Sequence, residues 1–329
     1  MARILVTGGA GYVGSHIVRV LLDRGRDVVV VDNLSEGNRA AIGDAPLIEA
    51  DFGDETMLDR ELAGGKVDFI VHMAASCEVG ESMDRPDKYY ANNLARSLRL
   101  LEAARRHEVR GIVFSSTAAT YGEPLAVPIT ETHPQQPTNP YGETKLAFER
   151  ALAWHQQAGG PGYVALRYFN AAGAHPDGSI GEDHHPESHI IPRLLRGVLE
   201  GQQEVPIFGN DWPTPDGTCV RDYVHVLDLA QAHVLAIDAL DSGAVVAEAF
   251  NLGNGEGFSV LQVVESVGRV TGKRPPTRFA PRRAGDPATL VASSDKIRGA
   301  LGWEPEFPEL DAIISTAWNW HRTRPGGYG

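Results

Sequence analysis

The chain has 329 residues, more than the roughly 100–150 of an ordinary domain, so two domains or one large sheet with an appended lobe are expected. Its 42% hydrophobic and 22% charged residues exclude a disordered chain, because that composition provides enough apolar side chains for a core. The 43 acidic residues outnumber the 30 lysines and arginines, and the net charge of −13 argues against nucleic acid and anionic membranes as partners.

Short β-branched runs alternate with helical patterns in the first third of the chain. Strands are predicted at Arg3–Thr7, Asp27–Asp32, Leu47–Ala50, Val67–His72 and Gly111–Ser115, and helices at Gly11–Arg24, Glu55–Leu62 and Pro86–His107. This alternation indicates a parallel sheet with helices on both faces. The run Val28–Val31 is apolar at every position, which is typical of a strand buried on both sides. The predicted fold class is α/β, a Rossmann-type doubly wound parallel sheet.

The second half of the chain has a different amino-acid composition. Ala174–Ser188 is rich in His, Pro, Gly and acidic residues, and Gly209–Gly217 in Pro and Gly, so both segments are predicted to be loops. Tyr223–Ala236 and Ala249–Leu252 are predicted to be a helix and a strand that rejoin the first sheet. We expect one domain of residues 1–173 with a returning segment at about 221–252, and a smaller interleaved lobe of residues 174–329.

Glycines cluster where the first strand becomes a helix, in Thr7-Gly8-Gly9-Ala10-Gly11-Tyr12-Val13-Gly14. There they permit a tight turn and close approach of the backbone to a pyrophosphate, while the helix N-terminus provides amides and a favourable dipole. Asp32 ends the next strand, 18 residues after Gly14, where a carboxylate accepts hydrogen bonds from a ribose diol and repels a 2′-phosphate. The context favours NAD over NADP; the alternative is a plain strand–helix turn with a surface Asp.

Tyr141 is the only one of the nine tyrosines that is followed four residues later by a lysine, Lys145. If Glu143–Trp154 is helical, with Pro140 at its start, both side chains lie on one face. A nearby ammonium lowers the pKa of tyrosine from about 10, so Tyr141 is predicted to act as a base. An exposed Tyr–Lys pair is the alternative, but Ser115-Ser116-Thr117 also place hydroxyls at the carboxyl edge of the sheet, where such folds bind ligands.

With these motifs the chain resembles the extended short-chain dehydrogenase/reductase family, and within it the UDP-galactose (UDP-glucose) 4-epimerases. The matching segments are Thr7–Gly14, Asp32–Leu34, Asp51, His72–Ala75, Tyr89–Asn93, Phe114–Gly122, Tyr141–Lys145, Arg167–Asn170, Ile207–Asp211, Asp216–Thr218, Val220–His225 and Arg282–Asp286. They span nearly the whole chain, and the later segments are more specific than the glycine loop.

The resemblance implies an isomerase that uses NAD to interconvert UDP-glucose and UDP-galactose at C4 through a 4-keto sugar. It implies that Tyr141 is the base, that Lys145 binds the nicotinamide ribose and tunes Tyr141, and that Thr117 hydrogen-bonds the reacting hydroxyl. Besides Tyr141 and Lys145, the residues implied to bind NAD are Gly8, Gly11, Tyr12, Val13, Gly14, Asp32, Asn33, Asp51, Phe52, Met73, Ala74, Ala75, Asn92 and Phe169. Besides Thr117 and Tyr141, those implied to bind the UDP-sugar, partly in the lobe, are Asn170, His189, Ile207, Phe208, Arg221, Arg283 and Asp286.

The two arginines Arg221 and Arg283 in an acidic chain agree with a nucleotide diphosphate as ligand.

The resemblance also implies a homodimer, in which Pro86–His107 and the helix after Tyr141 form a four-helix bundle with a second copy. The alternative for their apolar stripes is packing on the sheet.

Three positions depart from the family pattern. Thr117 stands where serine is frequent and keeps the hydroxyl. Cys77 replaces a common lysine, which removes a positive contact and predicts weaker binding of NAD. Near Thr289 the family can have a bulky tyrosine, and a smaller residue leaves room at the C2 substituent. N-acetylated UDP-hexosamines are therefore also expected as substrates.

Three other functions are possible on this fold. A sugar-nucleotide 4,6-dehydratase typically has Asp-Glu directly after the catalytic threonine, whereas this chain has Ala118-Ala119, so elimination lacks its acid and base. A UDP-pentose 4-epimerase would use the same residues and stays open. A non-enzymatic NAD-sensing regulator typically loses the tyrosine or lysine, and both are present here.

Metal binding and membrane insertion are not expected. His184, His185 and His189 stand among Glu182, Asp183 and Glu187, but neighbouring histidines in a Pro-containing loop rarely converge on one ion. Cys77 and Cys219 lie far apart without a CxxC motif, which argues against a disulfide framework and a zinc ribbon. No apolar run approaches the roughly 18 residues of a membrane-spanning helix, so a cytoplasmic, soluble protein is expected.

Overall fold

A seven-stranded parallel sheet lies at the centre of the structure, a computed structural model that describes residues 2–201, 204–283 and 286–329. The strands are β1 (Arg3–Thr7), β2 (Asp27–Asp32), β3 (Leu47–Glu49), β4 (Phe69–His72), β5 (Gly111–Thr117), β6 (Gly162–Tyr168), β7 (Asn170–Ala172), β8 (Val205–Phe208), β9 (Val220–Arg221), β10 (Tyr223–His225), β11 (Ala247–Leu252), β12 (Phe258–Ser259), β13 (Thr277–Ala280) and β14 (Thr289–Leu290). The central order is β11-β6-β5-β4-β1-β2-β3, so chain order reverses between β1 and β4 and leaves a crevice at their carboxyl ends.

Helices cover both faces of this sheet and build the C-terminal part of the chain. They are α1 (Tyr12–Asp23), α2 (Glu55–Leu62), α3 (Val79–Asp84), α4 (Pro86–Tyr89), α5 (Arg96–Arg106), α6 (Pro140–Gln157), α7 (Ile190–Glu200), α8 (Val226–Ser242), α9 (Val260–Thr271), α10 (Asp295–Leu301) and α11 (Leu310–Thr323), with 3₁₀ turns at Arg39–Ile42 and Ala118–Thr120 and a π-helical segment at Tyr90–Ala95. Within the described ranges, none of these helices combines the length and apolarity needed to span a membrane.

The predicted doubly wound α/β fold is confirmed, β1 and β2 have the predicted bounds, and α2 covers the segment predicted to lie within a helix. The apolar run Val28–Val31 in β2 is buried on both faces of the sheet, as predicted. Val28 and Val30 pack into the core on one face of the sheet, and Val29 and Val31 into the core on the other. Strand β6 was not predicted; it pairs with β5 on one side and β11 on the other.

Two predicted helices differ from the structure. The segment predicted as one helix at Pro86–His107 is interrupted by the π-helical turn. In this turn the Asn93 side chain accepts a hydrogen bond from the Ser76 backbone N–H and donates one to the Ser76 carbonyl, both at 2.8 Å. The helix predicted at Tyr223–Ala236 begins only at Val226. The preceding residues form β10, and the His225 side chain accepts a hydrogen bond from the Leu227 amide, which fixes the start of α8.

The chain returns to the central sheet after leaving it, as predicted, because β11 pairs with β6 in parallel from Ala247 to Leu252. A third apolar core, separate from the two that flank the sheet, is built largely from α7, α9 and α11. The division into a domain of residues 1–173 and a lobe of residues 174–329 stays a prediction.

A buried ion pair fastens α6 to the sheet. The Arg167 Nη2 atom on β6 lies 2.5 Å from Glu149 Oε2 on α6, and both side chains are only 6% exposed. Glu149 also accepts a hydrogen bond from the Ser116 hydroxyl on β5, and Arg167 donates to the Tyr121 hydroxyl at 2.8 Å. The charges are therefore fully partnered, and they set the position of α6 against β5 and β6.

Removing one charge from this pair should destabilise the protein strongly. We expect Glu149→Gln to lower the free energy of unfolding by about 3–5 kcal/mol, because it leaves the Arg167 guanidinium buried without its counter-ion. Urea denaturation measures the change. As a control, Asp23→Asn breaks the exposed pair Arg19–Asp23 on α1, which contributes less than about 1 kcal/mol. Equal shifts in the two variants would contradict the assignment.

Candidate active site

The phosphate loop connects β1 to α1 at the carboxyl edge of the sheet, beside the reversal of strand order. Gly8 has a φ of +69°, and its amide donates to the Val31 carbonyl at 2.8 Å, so the chain turns sharply out of β1. At Gly14 a Cβ would collide with the Gly8 carbonyl oxygen, so a side chain there would force the turn open. Helix α1 begins at Tyr12 without a side-chain cap, which leaves its first amides available to an anion.

Asp32 is the last residue of β2 and is almost completely buried. Its Oδ2 accepts a hydrogen bond from the Ala10 amide and its Oδ1 one from the Leu34 amide, each at 2.9 Å. Burial raises the pKa of this carboxyl, and the two amide hydrogen bonds oppose the rise. The carboxylate is held next to the phosphate loop with lone pairs left for hydroxyl donors.

Asp51 and Asn92, both predicted to bind the cofactor, are joined by Arg96. One Arg96 nitrogen lies 3.1 Å from Asp51 Oδ2, and another donates to Asn92 Oδ1 at 2.7 Å. Phe52 is buried beside them, with its ring 5.1 Å from that of His72. Sequence reasoning missed Arg96, although its position four residues after Asn92 in a helical segment was an available signal.

The segment after β4 packs against the phosphate loop. Met73 and Ala74 both donate their amides to the Thr7 carbonyl, at 3.0 and 3.1 Å. Predicted cofactor residues therefore follow two neighbouring strands at the same edge of the sheet. The remaining predicted cofactor residues are Ala75 after Ala74, Gly11 and Val13 at the start of α1, Asn33 after β2, and Phe169 between β6 and β7.

Tyr141 and Lys145 lie in the first turns of α6. Pro140 occupies the first helical position, and the Asn139 side chain caps the helix. The Lys145 Nζ donates to the Ser115 carbonyl at 2.8 Å and lies 5.9 Å from the centre of the Tyr141 ring. The phenol and the ammonium thus share one helix face at the carboxyl end of β5.

The predicted lowering of the Tyr141 pKa is wrong for the protein by itself. Burial is the main cause that raises the pKa of Tyr141, and its hydrogen bond with Thr117 acts in the other direction without offsetting the rise. The Lys145 ammonium does not offset this rise, because it points to the Ser115 carbonyl and burial lowers its own pKa to about 8.

The remaining residues predicted for the nucleotide sugar lie in the second half of the chain, where several of them contact one another. Arg221 is buried on β9, with one guanidinium nitrogen 3.7 Å from Asp286 Oδ1, and Arg283 Nε donates to Asp286 Oδ2 at 3.0 Å. The Arg283 guanidinium also stacks 4.8 Å from the centre of the Phe208 ring on β8. Ile207 precedes Phe208 and is buried, Asn170 begins β7, and His189 precedes α7. Ala284 and Gly285, within the matching segment Arg282–Asp286, lie outside the described residues.

Two of the three histidines in the loop before α7 come together. The rings of His184 and His189 lie 5.3 Å apart, whereas the His185 side chain is 76% exposed and does not join them. His184 and His189 thus come together, which the sequence did not predict, whereas the expectation that they bind no common metal ion stays a prediction. The cause of their approach is a pair of buried carboxylates, Glu182 and Glu187, that lie close to both rings.

The comparisons with known proteins agree with this arrangement. Residues 4–253 match the model of the NAD dependent epimerase/dehydratase family, and the chain belongs to that family. This confirms the resemblance to the extended short-chain dehydrogenase/reductases that the motifs indicated.

Full-length relatives narrow the likeness further. UDP-glucose 4-epimerase of Halalkalibacterium halodurans is 52% identical over 325 residues, which cover 99% of this chain and 97% of the relative. The crystal structure of UDP-glucose 4-epimerase from Brucella ovis in complex with NAD has a TM-score of 0.93 and 44% identity, covering 97% of this chain and 98% of the other. The crystal structure of the enzyme from Bifidobacterium longum in complex with NAD⁺ and UDP has a TM-score of 0.94 and 38% identity, covering 99% and 100%.

The cofactor of this family is NAD, and the loop geometry fits a dinucleotide. The positions of Gly8 and Gly14 have no room for a Cβ, so backbone amides alone can line the turn. Asp32 presents its carboxylate at the end of the next strand, as recognition of a ribose diol requires.

Adding a single methyl group to the phosphate loop should abolish tight binding of NAD. We expect Gly14→Ala to weaken NAD binding by at least about tenfold, because the new Cβ collides with the Gly8 carbonyl and opens the turn that approaches the pyrophosphate. Calorimetric titration of the stripped protein with NAD measures the change. Gly299→Ala on α10, where a Cβ meets nothing within 4 Å, is the matched control. Unchanged affinity in Gly14→Ala would rule out this loop as the pyrophosphate site.

Proposed function

We propose that the protein is a UDP-glucose 4-epimerase, which interconverts UDP-glucose and UDP-galactose by inverting C4 through a transient 4-keto sugar. The observation that carries this proposal is the placement of one phenol, Tyr141, at the edge of β5 beside Thr117. The phosphate loop lies on the dinucleotide side, and Arg221 and Arg283 lie on the side proposed for the UDP-sugar. Relatives of this chain that carry the same activity in their names are about half identical over their full length.

Tyr141 is proposed to remove the proton of the 4-hydroxyl, with Thr117 hydrogen-bonded to the same oxygen. NAD, which the phosphate loop, Asp32 and Lys145 would hold, would supply the oxidant that takes hydride from C4 and the reductant that gives it back to the opposite face of the rotated 4-keto sugar, and its positive charge when oxidised would favour the ionised phenol. Lys145 holds the nicotinamide ribose and keeps an ammonium near the phenol. Arg221 and Arg283 bind the diphosphate, so the grip is on the nucleotide and the hexose is left able to rotate.

A 4,6-dehydratase is the nearest alternative within the family. Elimination of water needs an acid and a base directly after the catalytic threonine, and here those positions are Ala118 and Ala119 in a short 3₁₀ turn. A UDP-pentose 4-epimerase would use the residues proposed here, and a regulator that only senses NAD would not need them. Products from a panel of UDP-hexoses and UDP-pentoses, resolved by C4 configuration, distinguish these functions.

Loss of the phenolic hydroxyl should remove the base and keep all but one of the contacts proposed for the cofactor. We expect Tyr141→Phe to lower kcat for UDP-galactose by about 10²–10⁴-fold, the contribution typical of a positioned acid–base group. NAD affinity, measured in the same preparation, should change little. Chromatographic separation of UDP-glucose from UDP-galactose measures the rate, and full turnover by the variant would overturn the mechanism.

The width of the sugar pocket is proposed to depend on β14. This strand pairs in parallel with β9, with Leu290 opposite Arg221 and Thr289 opposite Val220. Paired residues project to the same face of a sheet, so Leu290 rather than Thr289 shares the face of Arg221. Leu290 is smaller than the tyrosine that can narrow the pocket in the family. We therefore propose that UDP-N-acetylhexosamines are also accepted.

A larger side chain in place of Leu290 should exclude the N-acetyl group of the substrate. We expect wild-type protein to epimerise UDP-N-acetylglucosamine, and Leu290→Tyr to lower kcat/KM for it relative to UDP-galactose by about tenfold or more. Thr289→Tyr is the matched control and should change this ratio less. Wild-type protein that turns over UDP-galactose but leaves UDP-N-acetylglucosamine untouched would contradict the proposal. A loss confined to Thr289→Tyr would contradict the assignment of faces.

We propose further that the enzyme acts in the cytoplasm as a homodimer. The two helices predicted to form the dimer interface carry exposed apolar side chains, which supports the dimer. Leu98 on α5 is 38% exposed and Trp154 on α6 is 70% exposed. Light scattering should give about twice the chain mass of 35.5 kDa. The mass of a single chain at every concentration would argue against the dimer.

A further inference from the structure

Four potential metal ligands converge in the loop that leads to α7. Glu182, His184, Glu187 and His189 each offer one atom, and the four atoms lie within 4.8 Å of one another. His189 Nδ1 is 2.8 Å from Glu182 Oε1 and 3.2 Å from Glu187 Oε1, and His184 Nδ1 is 3.2 Å from Glu182 Oε1. The same nitrogen of each ring therefore faces the same two carboxylates.

Two buried atoms of this cluster make no hydrogen bond of normal geometry, although His184 Nδ1 lies within ion-pair distance of Glu182. They are His184 Nδ1 and Glu187 Oε2, which lie 3.8 Å apart. The Glu187 side chain is only 4% exposed, so water from the surface has little access to its second oxygen. Buried polar atoms in native proteins nearly always have a partner, because an unsatisfied one costs free energy. Their position across from each other is what a ligand atom between them would explain.

We propose that Glu182, His184, Glu187 and His189 form a site for a divalent transition-metal ion of the zinc type. Zinc binds imidazole nitrogen and carboxylate oxygen at about 2.0–2.2 Å, which places tetrahedral ligands roughly 3.4 Å apart. The His–Glu pairs here are 2.8–3.8 Å apart and all four ligand atoms lie within 4.8 Å of one another, so the most distant atoms would have to move closer to reach that spacing. Two imidazoles with two carboxylates are also a ligand set that suits zinc, and less so magnesium or calcium.

The neighbouring acidic and basic groups of the loop have other partners. Asp183 accepts a hydrogen bond from the Tyr328 amide at 3.1 Å and lies 3.3 Å from an Arg196 nitrogen, so it ties the C-terminal residues to α7. His185 lies beside Asp183 and is mostly exposed. The proposed ligands are thus a specific subset of the charged residues in this segment.

A bound ion would link α7 to the helix of the phosphate loop. The His184 ring packs edge-on against Tyr12 of the phosphate-loop helix, with centroids 6.2 Å apart, and Tyr12 donates to the Gly173 carbonyl at 2.6 Å. On the other side of the cluster, His189 directly precedes α7. An ion held between the two rings would fix this loop between α7 and the helix of the phosphate loop.

Direct metal titration of the NAD-bound protein tests the proposal. After treatment with a chelator, we expect wild-type protein to bind one Zn²⁺ per chain in calorimetry, and Co²⁺ in its place to show the visible absorption of a tetrahedral ion. Glu187→Gln, which preserves shape but removes the charge of one ligand, should weaken Zn²⁺ binding by at least about tenfold. His185→Gln, one residue from a proposed ligand but outside the cluster, is the matched control and should bind as wild type does.

Each outcome supports or overturns the site. Loss of binding in Glu187→Gln with retention in His185→Gln supports it. Absence of stoichiometric binding, or equal effects in the two variants, overturns it. If Glu187→Gln does not fold, as judged by circular dichroism, crystals of the wild-type protein soaked in Zn²⁺ decide the question. An anomalous peak among the four ligand atoms supports the proposal, and no peak there excludes it.

Discussion

The buried contact of α6 with the sheet is the constraint on which the active-site geometry depends. Tyr141, Lys145 and Glu149 follow one another at intervals of four residues on the same helix face. Glu149 is held by Arg167 on β6 and by Ser116 on β5, one residue before Thr117. Because these groups are buried, α6 cannot rotate or slide without breaking a charged interaction. The buried contacts of Glu149 with Arg167 and Ser116 therefore fix the positions of the Tyr141 phenol and the Thr117 hydroxyl.

Electrostatics are divided between the protein and its ligands. A chain with a net charge of −13 has uncapped backbone amides at the phosphate loop and, in the proposed diphosphate site, the guanidinium groups of Arg221 and Arg283. Around Tyr141, in contrast, burial dominates and raises the pKa of the phenol, and Lys145 is itself partly destabilised as a cation by burial. In the proposed mechanism, proton removal by Tyr141 would therefore depend on the positive charge of the oxidised cofactor.

Most predictions about the candidate site came from local motifs. The glycine loop, Asp32 and the Tyr141–Lys145 spacing depend on residues close together in the chain, so turn chemistry and helix periodicity predict them well. The π-helical turn near Asn93 was not predictable in this way. It depends on hydrogen bonds between Asn93 and Ser76, 17 residues away. The same applies to β6, whose assignment rests on its pairing with β5 and β11.

The amino-acid sequence alone determined the fold class, the family and the chemical identity of the groups at the carboxyl edge of the sheet. Those features follow from periodicity and from motifs whose residues are neighbours in the chain. Only the tertiary structure decided that burial outweighs the Lys145 charge at Tyr141, that Leu290 shares the face of Arg221, and that two histidines meet two carboxylates before α7. Each of these depends on burial, strand register or side-chain direction, which arise when distant segments pack and which spacing along the chain does not encode.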